Sequence, residues 1–136
     1  MSGKPRLKAL DGPDEGREWP LDRDRITLGR RDDQGIPVLW HAGVSRWHAE
    51  IRRSQGLFWL CDVKSTGGTY LALPGDETWE LNAEEPVLLI DGMVVNLGRC
   101  AHFLVLDVEA GAGPFVRRAL SLVEQLCLGL ACLPEA

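Results

Sequence analysis

Three short polar clusters carry most of the chemistry open to this sequence. They are Leu28-Gly29-Arg30, Val44-Ser45-Arg46-Trp47-His48-Ala49 and Asp62-Val63-Lys64-Ser65-Thr66-Gly67-Gly68-Thr69-Tyr70. Each stands at the end of an apolar run that reads as a strand, where a sandwich gathers its loops. Arginine supplies a planar fork of donors, and hydroxyls and loop amides add short directional bonds. Together they suit one compact dianion such as a phosphoryl group. Other chemistries fit less well. Ser45, His48 and Asp62 have the residue types of a hydrolase triad, but a serine and a histidine three apart across a loop-to-strand junction rarely meet as nucleophile and base. Gly67-Gly68 lacks the Gly-Lys-Ser/Thr sequence and the following helix of a nucleotide loop. Cys61, Cys100, Cys127 and Cys132 are irregularly spaced, only Cys127-x4-Cys132 approaches a zinc pair, and the histidines are remote from it. No metal and no other cofactor is expected.

The same clusters fall into an ordered pattern: Gly29-Arg30, then Ser45-Arg46-Trp47-His48, then Ser65-Thr66-Gly67-Gly68-Thr69, then Asp91-Gly92-Met93-Val94-Val95-Asn96-Leu97-Gly98. From about Arg25 to Leu106 the chain resembles the forkhead-associated (FHA) domain family. The resemblance implies an FHA/SMAD-like β-sandwich of about eleven strands that binds phosphothreonine peptides through loops at one end, without catalysis. Carried over by position, it implies that Arg30 and Ser45 contact the phosphate. Arg46 and Thr66 would add phosphate or peptide contacts. His48 would brace the binding loop, with Gly29 packed tightly beside it and Gly68 supporting the next loop. Gly67 stands where the family has an asparagine that bonds the peptide main chain. Loss of that amide is expected to cost ~1 kcal/mol, a several-fold weakening, which Gly67→Asn should restore. Lys64 is expected to be a solvated charge that could steer an acidic peptide.

The elements that must position these residues read as all-β. From Arg6 to Val108 the apolar runs are brief and separated by Gly, Pro, Asp and Ser, which predicts a two-sheet sandwich. Strands are predicted at Arg6–Leu10, Arg25–Leu28, Val38–Leu39, His48–Arg53, Leu57–Val63 and Thr69–Leu71. Three more follow at Val87–Ile90, Met93–Leu97 and Ala101–Val108. Ser54-Gln55-Gly56 predicts a tight hairpin, and Asp91-Gly92 a second one with a type I′ turn. Leu57–Val63 and Ala101–Val108 are apolar on both faces, as for strands covered from two sides. Of the five tryptophans, Trp47 alone is a candidate to line a pocket for a peptide side chain.

The remaining chain divides differently. Residues 1–108 read as the sandwich, 109–113 as a Gly/Ala linker and 114–133 as an α-helix opened by Pro114 and closed by Pro134. That helix is apolar around most of its circumference, so a self-association surface or a further domain is expected to bury it. A phospho-independent assembly module working through this helix is the competing reading. Charge narrows the partners. Fifteen basic against twenty acidic residues give a net charge of -5, which argues against nucleic acid and against an anionic membrane. No apolar run is long enough to span a bilayer, and no secretory signal opens the chain, so a cytoplasmic protein is expected.

Overall fold

The computed structural model describes residues 4–73 and 78–108. Eleven strands run in order: β1 (Arg6–Ala9), β2 (Glu18–Pro20), β3 (Arg25–Gly29), β4 (Ile36–Pro37), β5 (Ala49–Ser54) and β6 (Leu57–Asp62). They continue as β7 (Thr69–Ala72), β8 (Thr78–Glu80), β9 (Val87–Leu88), β10 (Val94–Leu97) and β11 (Ala101–Leu106). One sheet has the order β2-β1-β11-β10-β7-β8 and the other β4-β3-β5-β6-β9. Neighbours are antiparallel except β3 and β4, which run parallel. The fold is the expected all-β, two-sheet sandwich.

Alternation builds the core. On β10 Val95 and Leu97 point inward beside Met93, all fully buried, and on β11 Ala101, Phe103 and Val105 face them. From the opposite sheet come Leu28, Ile51, Phe58 and Leu60. Period-2 patterning of this kind fixes the register, because a slip of one residue would turn the whole apolar set to solvent.

Several expectations need correction. β2 and β8 are additional to the nine runs read from the sequence. β2 buries only Trp19 between two exposed residues, and all three residues of β8 are exposed, so neither leaves a hydrophobic run to read. β4 lies two residues before Val38–Leu39, and Leu39 is instead 56% exposed. The β5–β6 hairpin is present, but its loop is only Gln55-Gly56, since Ser54 pairs with Leu57. Both loop residues have positive φ, 55° and 76°, as a type I′ turn requires.

The second hairpin is absent. β9 pairs with β6, and β10 pairs with β7 and β11, so Asp91-Gly92 crosses from one sheet to the other. Only Gly92 takes a positive φ, 88°, and the Ile90 carbonyl accepts from the Met93 N–H at 3.3 Å. That is the pattern of a type II turn, which splays its flanking chains rather than zipping them. The outer faces of β6 and β11 are also less covered than expected: Trp59, Leu104 and Leu106 are half-buried. The 109–113 linker and the 114–133 helix lie outside the described residues.

Candidate functional site

Four loops meet at one end of the sandwich: β3–β4, β4–β5, β6–β7 and β10–β11. Between them lies a shallow depression of ≈ 500 Å³ lined by Arg30, Ser45, Arg46, Thr66 and Gly67, with Ala42, Gly43, Val44 and Gly98 completing it. Five of the six candidate contact residues are therefore brought together from three separate stretches of chain. Lys64 is not among them. It is exposed, its φ is 63°, and its ammonium lies 3.9 Å from Glu84.

A network of bonds to the backbone holds the residues that line the depression. The Arg30 N–H donates to the Ser45 carbonyl at 2.9 Å, and Arg30 Nε donates to the Val44 carbonyl at 2.9 Å. The guanidinium is thus tethered by one edge, and among the described residues neither Arg30 nor Arg46 has a carboxylate partner. Arg6, Arg17, Arg25, Arg31, Arg52 and Arg53 do, whereas Arg23 and Arg99, which lie outside the depression, also have none among the described residues. In a chain with more acidic than basic residues, two arginines left without one in the same depression are positioned for an external anion.

Ser45 is fixed on every side but one. Its N–H donates to His48 Nδ1 at 2.9 Å, and its Oγ accepts from the Thr66 N–H at 2.9 Å. The hydroxyl proton remains as a donor. His48 is fully buried, and its Nε2 lies 2.7 Å from the Gly68 carbonyl. Because Nδ1 accepts, Nε2 must carry the proton, so the ring is neutral. Burial pushes its pKa below the usual value, against smaller opposing effects of the Gly68 carbonyl and Asp62. The imidazole bridges the β4–β5 and β6–β7 loops with both nitrogens, and neither touches the Ser45 hydroxyl. The ring thus joins the two loops and makes no nucleophile–base pair with Ser45.

The β6–β7 loop is built on Asp62, buried at the end of β6. Its Oδ1 accepts from Ser65 Oγ at 2.5 Å and Thr69 Oγ1 at 2.6 Å, and its Oδ2 accepts from the Ser65 N–H at 3.2 Å. Ser65 Oγ in turn accepts from the Gly68 N–H at 3.0 Å. Gly68 has φ 85°, a conformation few side chains tolerate, and its carbonyl accepts from both His48 and the Gly98 N–H at 2.8 Å.

Close backbone contacts set the shape. A Cβ on Gly29 would lie 2.0 Å from the Arg46 carbonyl oxygen, so the β3 end and the β4–β5 loop touch main chain to main chain. At Gly67 a Cβ would meet Gly43 O at 2.8 Å and Gly98 Cα at 3.0 Å, and at Gly98 one would meet Gly43 O at 2.4 Å. Gly43, Gly67 and Gly98, each from a different loop, thus form a tight junction under the depression. Sequence reasoning missed Gly43 and the Val44 carbonyl, because a loop glycine and a backbone acceptor leave no spacing to read. Trp47 lies outside the depression. It is 56% exposed, with the Arg31 guanidinium stacked 4.5 Å from its ring centroid.

Among the described residues no group of three or more His, Cys, Asp or Glu could hold a metal ion, and no helix is long and apolar enough to cross a membrane. Cys61 and Cys100 are free thiols whose pKa burial raises.

A family model, the FHA domain, matches residues 26–98, more than half of the 136. The chain belongs to the FHA domain family. Among curated relatives, it is 41% identical over 70 residues to an oxoglutarate dehydrogenase inhibitor of Corynebacterium diphtheriae. That match covers 52% of this chain and 48% of the relative. It is 40% identical over 70 residues to the glycogen accumulation regulator GarA of Mycolicibacterium smegmatis, covering 52% and 44%. The chain thus spans about half the length of the curated relatives it matches. Among solved structures, an FHA domain described for its phosphothreonine-dependent interactions superposes with TM-score 0.60 at 30% identity, over 76% of this chain and 96% of that one. The FHA domain of an Arabidopsis thaliana hypothetical protein gives TM-score 0.65 at 30% identity, over 83% and 90%. The FHA match at 26–98 spans every residue that lines the depression.

Proposed function

We propose that this domain recognises threonine-phosphorylated protein, binding the phosphorylated segment through the depression at its loop end and performing no chemistry on it. The observation that carries this reading is that Arg30 and Arg46, which among the described residues have no carboxylate partner, line the same depression beside a serine whose only uncommitted hydrogen-bond donor is its hydroxyl. A dianionic phosphate offers three acceptor oxygens, which Arg30, Ser45 and Arg46 can share. Thr66, exposed at the rim, extends contact to the peptide. Two further points support it. A relative of known structure is described by phosphothreonine-dependent interactions, and the curated relatives are named as an inhibitor and a regulator rather than as enzymes.

Recognition then depends on preorganisation. The Ser45 N–H is held by His48, the Ser45 hydroxyl oxygen by the Thr66 amide and the Arg30 edge by Val44, so little ordering remains to be done on binding. Calorimetry with matched phosphorylated and unphosphorylated threonine peptides, drawn from a phosphopeptide array probed with this chain, tests it. Phosphorylated peptide is expected to bind and unphosphorylated peptide to bind far more weakly. Arg30→Ala should weaken binding by ~2–5 kcal/mol. Equal affinity for the two peptides would overturn the reading in favour of phospho-independent assembly.

A further inference from the structure

The outer face of β3, β5 and β6 carries a charge that its own residues do not balance. Glu50 lies on this face, yet its side chain is only 3% exposed. A buried carboxylate is costly unless it is paired, and two arginines pair with it. Arg25 Nε donates to Glu50 Oε1 at 2.9 Å, and Arg52 Nε donates to Glu50 Oε2. The register sets Arg25 and Arg52 directly opposite each other on β3 and β5, a like-charge pair that needs an anion between its members. Both arginines are thus paired, but with the same carboxylate, and the cluster keeps one positive charge. Each guanidinium spends its Nε on Glu50. Among the described residues the terminal nitrogens of both have no hydrogen-bond partner, and the two side chains are 66% and 61% exposed. Two forks held by one buried carboxylate suit a further carboxylate, which makes the cluster neutral. A phosphate dianion would leave it negative beside Glu50.

Apolar surface lies on either side of the cluster along β5. Trp47 and Val63 wall a cleft of ≈ 230 Å³ that Arg25 and Glu50 also line. Trp59 and Pro86 wall another, of ≈ 450 Å³, that Arg52 also lines, and Trp59 stands cross-strand from Arg52. Tryptophan and arginine are the residue types that most often dominate binding at protein interfaces. Each of the three strands has a neighbour on both sides, so no free edge accepts an added strand here and contact must come through side chains.

We propose that this face is a second docking surface, which takes an acidic segment of a partner protein. A glutamate or aspartate carboxylate of that segment bonds the terminal nitrogens of Arg25 and Arg52, and an adjacent apolar side chain enters the cleft at Trp59. Charge complementarity names this occupant, because the cluster is a local positive excess on a chain of net charge -5. None of these residues lines the depression at the loop end, so the surface stands independently of the phosphate reading.

The full chain, labelled with 15N, reports through the Trp59 indole N–H resonance, assigned by its loss in Trp59→Phe. An acetylated and amidated peptide, Glu-Glu-Phe-Glu-Glu, should move that resonance saturably. Gln-Gln-Phe-Gln-Gln, of the same shape without the charges, should not. Arg25→Gln and Arg52→Gln each leave Glu50 one arginine, and each should weaken binding about three- to fivefold, the effect of one exposed ion pair. An equal response to the two peptides, or no saturable shift in the wild-type chain, overturns the proposal. That comparison needs no variant, so it decides even where a substitution unfolds the chain. Folded Arg25→Gln and Arg52→Gln proteins that both bind the acidic peptide as tightly as the wild type also overturn it, for then the charges seat elsewhere.

Discussion

At position 67 a glycine stands where the FHA pattern has asparagine, and a Cβ there would lie 2.8 Å from Gly43 O and 3.0 Å from Gly98 Cα. The sequence alone suggests that Gly67→Asn restores a peptide contact worth ~1 kcal/mol. The junction reverses that expectation. Both neighbours are backbone and neither is the far end of a flexible side chain, so overpacking should cost ~1–3 kcal/mol and shift the loops that shape the depression. Gly67→Asn is therefore expected to lower stability in urea unfolding without raising affinity for a verified phosphopeptide by calorimetry. Tighter binding at unchanged stability would mean that the Gly43 and Gly98 loops yield freely. Gly29→Ala is a harsher case, with a Cβ 2.0 Å from the Arg46 carbonyl oxygen. It should cost at least about 3 kcal/mol in the same unfolding measurement. Residue types that bear chemistry were legible at this scale: Arg30, Ser45, Arg46 and Thr66 do share a depression. What lies beneath them was not. The glycine junction and the Val44 acceptor depend on four loops meeting in space, and no one-dimensional spacing encodes that.

Among the elements, legibility followed burial. β10 and β11 each leave an alternating apolar trace and were readable, whereas β2 and β8 contribute a single tryptophan each, so their pairing comes from neighbours rather than from their own pattern. The Asp91-Gly92 turn shows a related limit. Its dipeptide is a hairpin signal, but tertiary pairing of β9 with β6 redirects the chain. The Gln55-Gly56 turn did form as a hairpin, with Gln55 at φ 55°. Asparagine tolerates that conformation better, so Gln55→Asn should raise stability by ~0.5 kcal/mol, read as a higher urea midpoint at unchanged slope. The imidazole of His48 couples two other elements, the β4–β5 and β6–β7 loops. Its pKa is depressed in the folded state from 6.5, so in the window below 6.5 the unfolded chain binds a proton that the folded chain refuses. Its contribution is thus complete above pH 6.5 and is lost as pH falls from there through the folded-state value. A proton on Nδ1 would also face the Ser45 N–H, two donors with no acceptor between them. Urea unfolding between pH 5 and 7.5 should show stability falling on acidification, with a shallower fall in His48→Gln. Equal slopes in the two proteins would sink this account.

For the molecule as a whole, net charge and local charge have to be separated. The sum of -5 disfavours a polyanion, yet most arginines of the sandwich are paired with carboxylates and therefore contribute little field of their own. Arg30 and Arg46 can form a small basic site on an acidic body. Everything lining that site lies between Arg30 and Gly98, and the core is completed by Val105 and Val108. A chain cut after Val108 thus retains every strand among the described residues, both of their sheets and the whole depression. Its unfolding midpoint and its affinity for a phosphopeptide should match those of the full chain, the affinity within about twofold, or ~0.4 kcal/mol. If the apolar 114–133 segment is a separate association element, light scattering should show a larger species for the full chain and a monomer for the cut one. If that segment instead seals the half-buried face around Leu104 and Leu106, the cut should lower stability. The two outcomes separate because burial of apolar area within the chain changes the urea midpoint at any concentration, whereas self-association changes it only as protomer concentration rises.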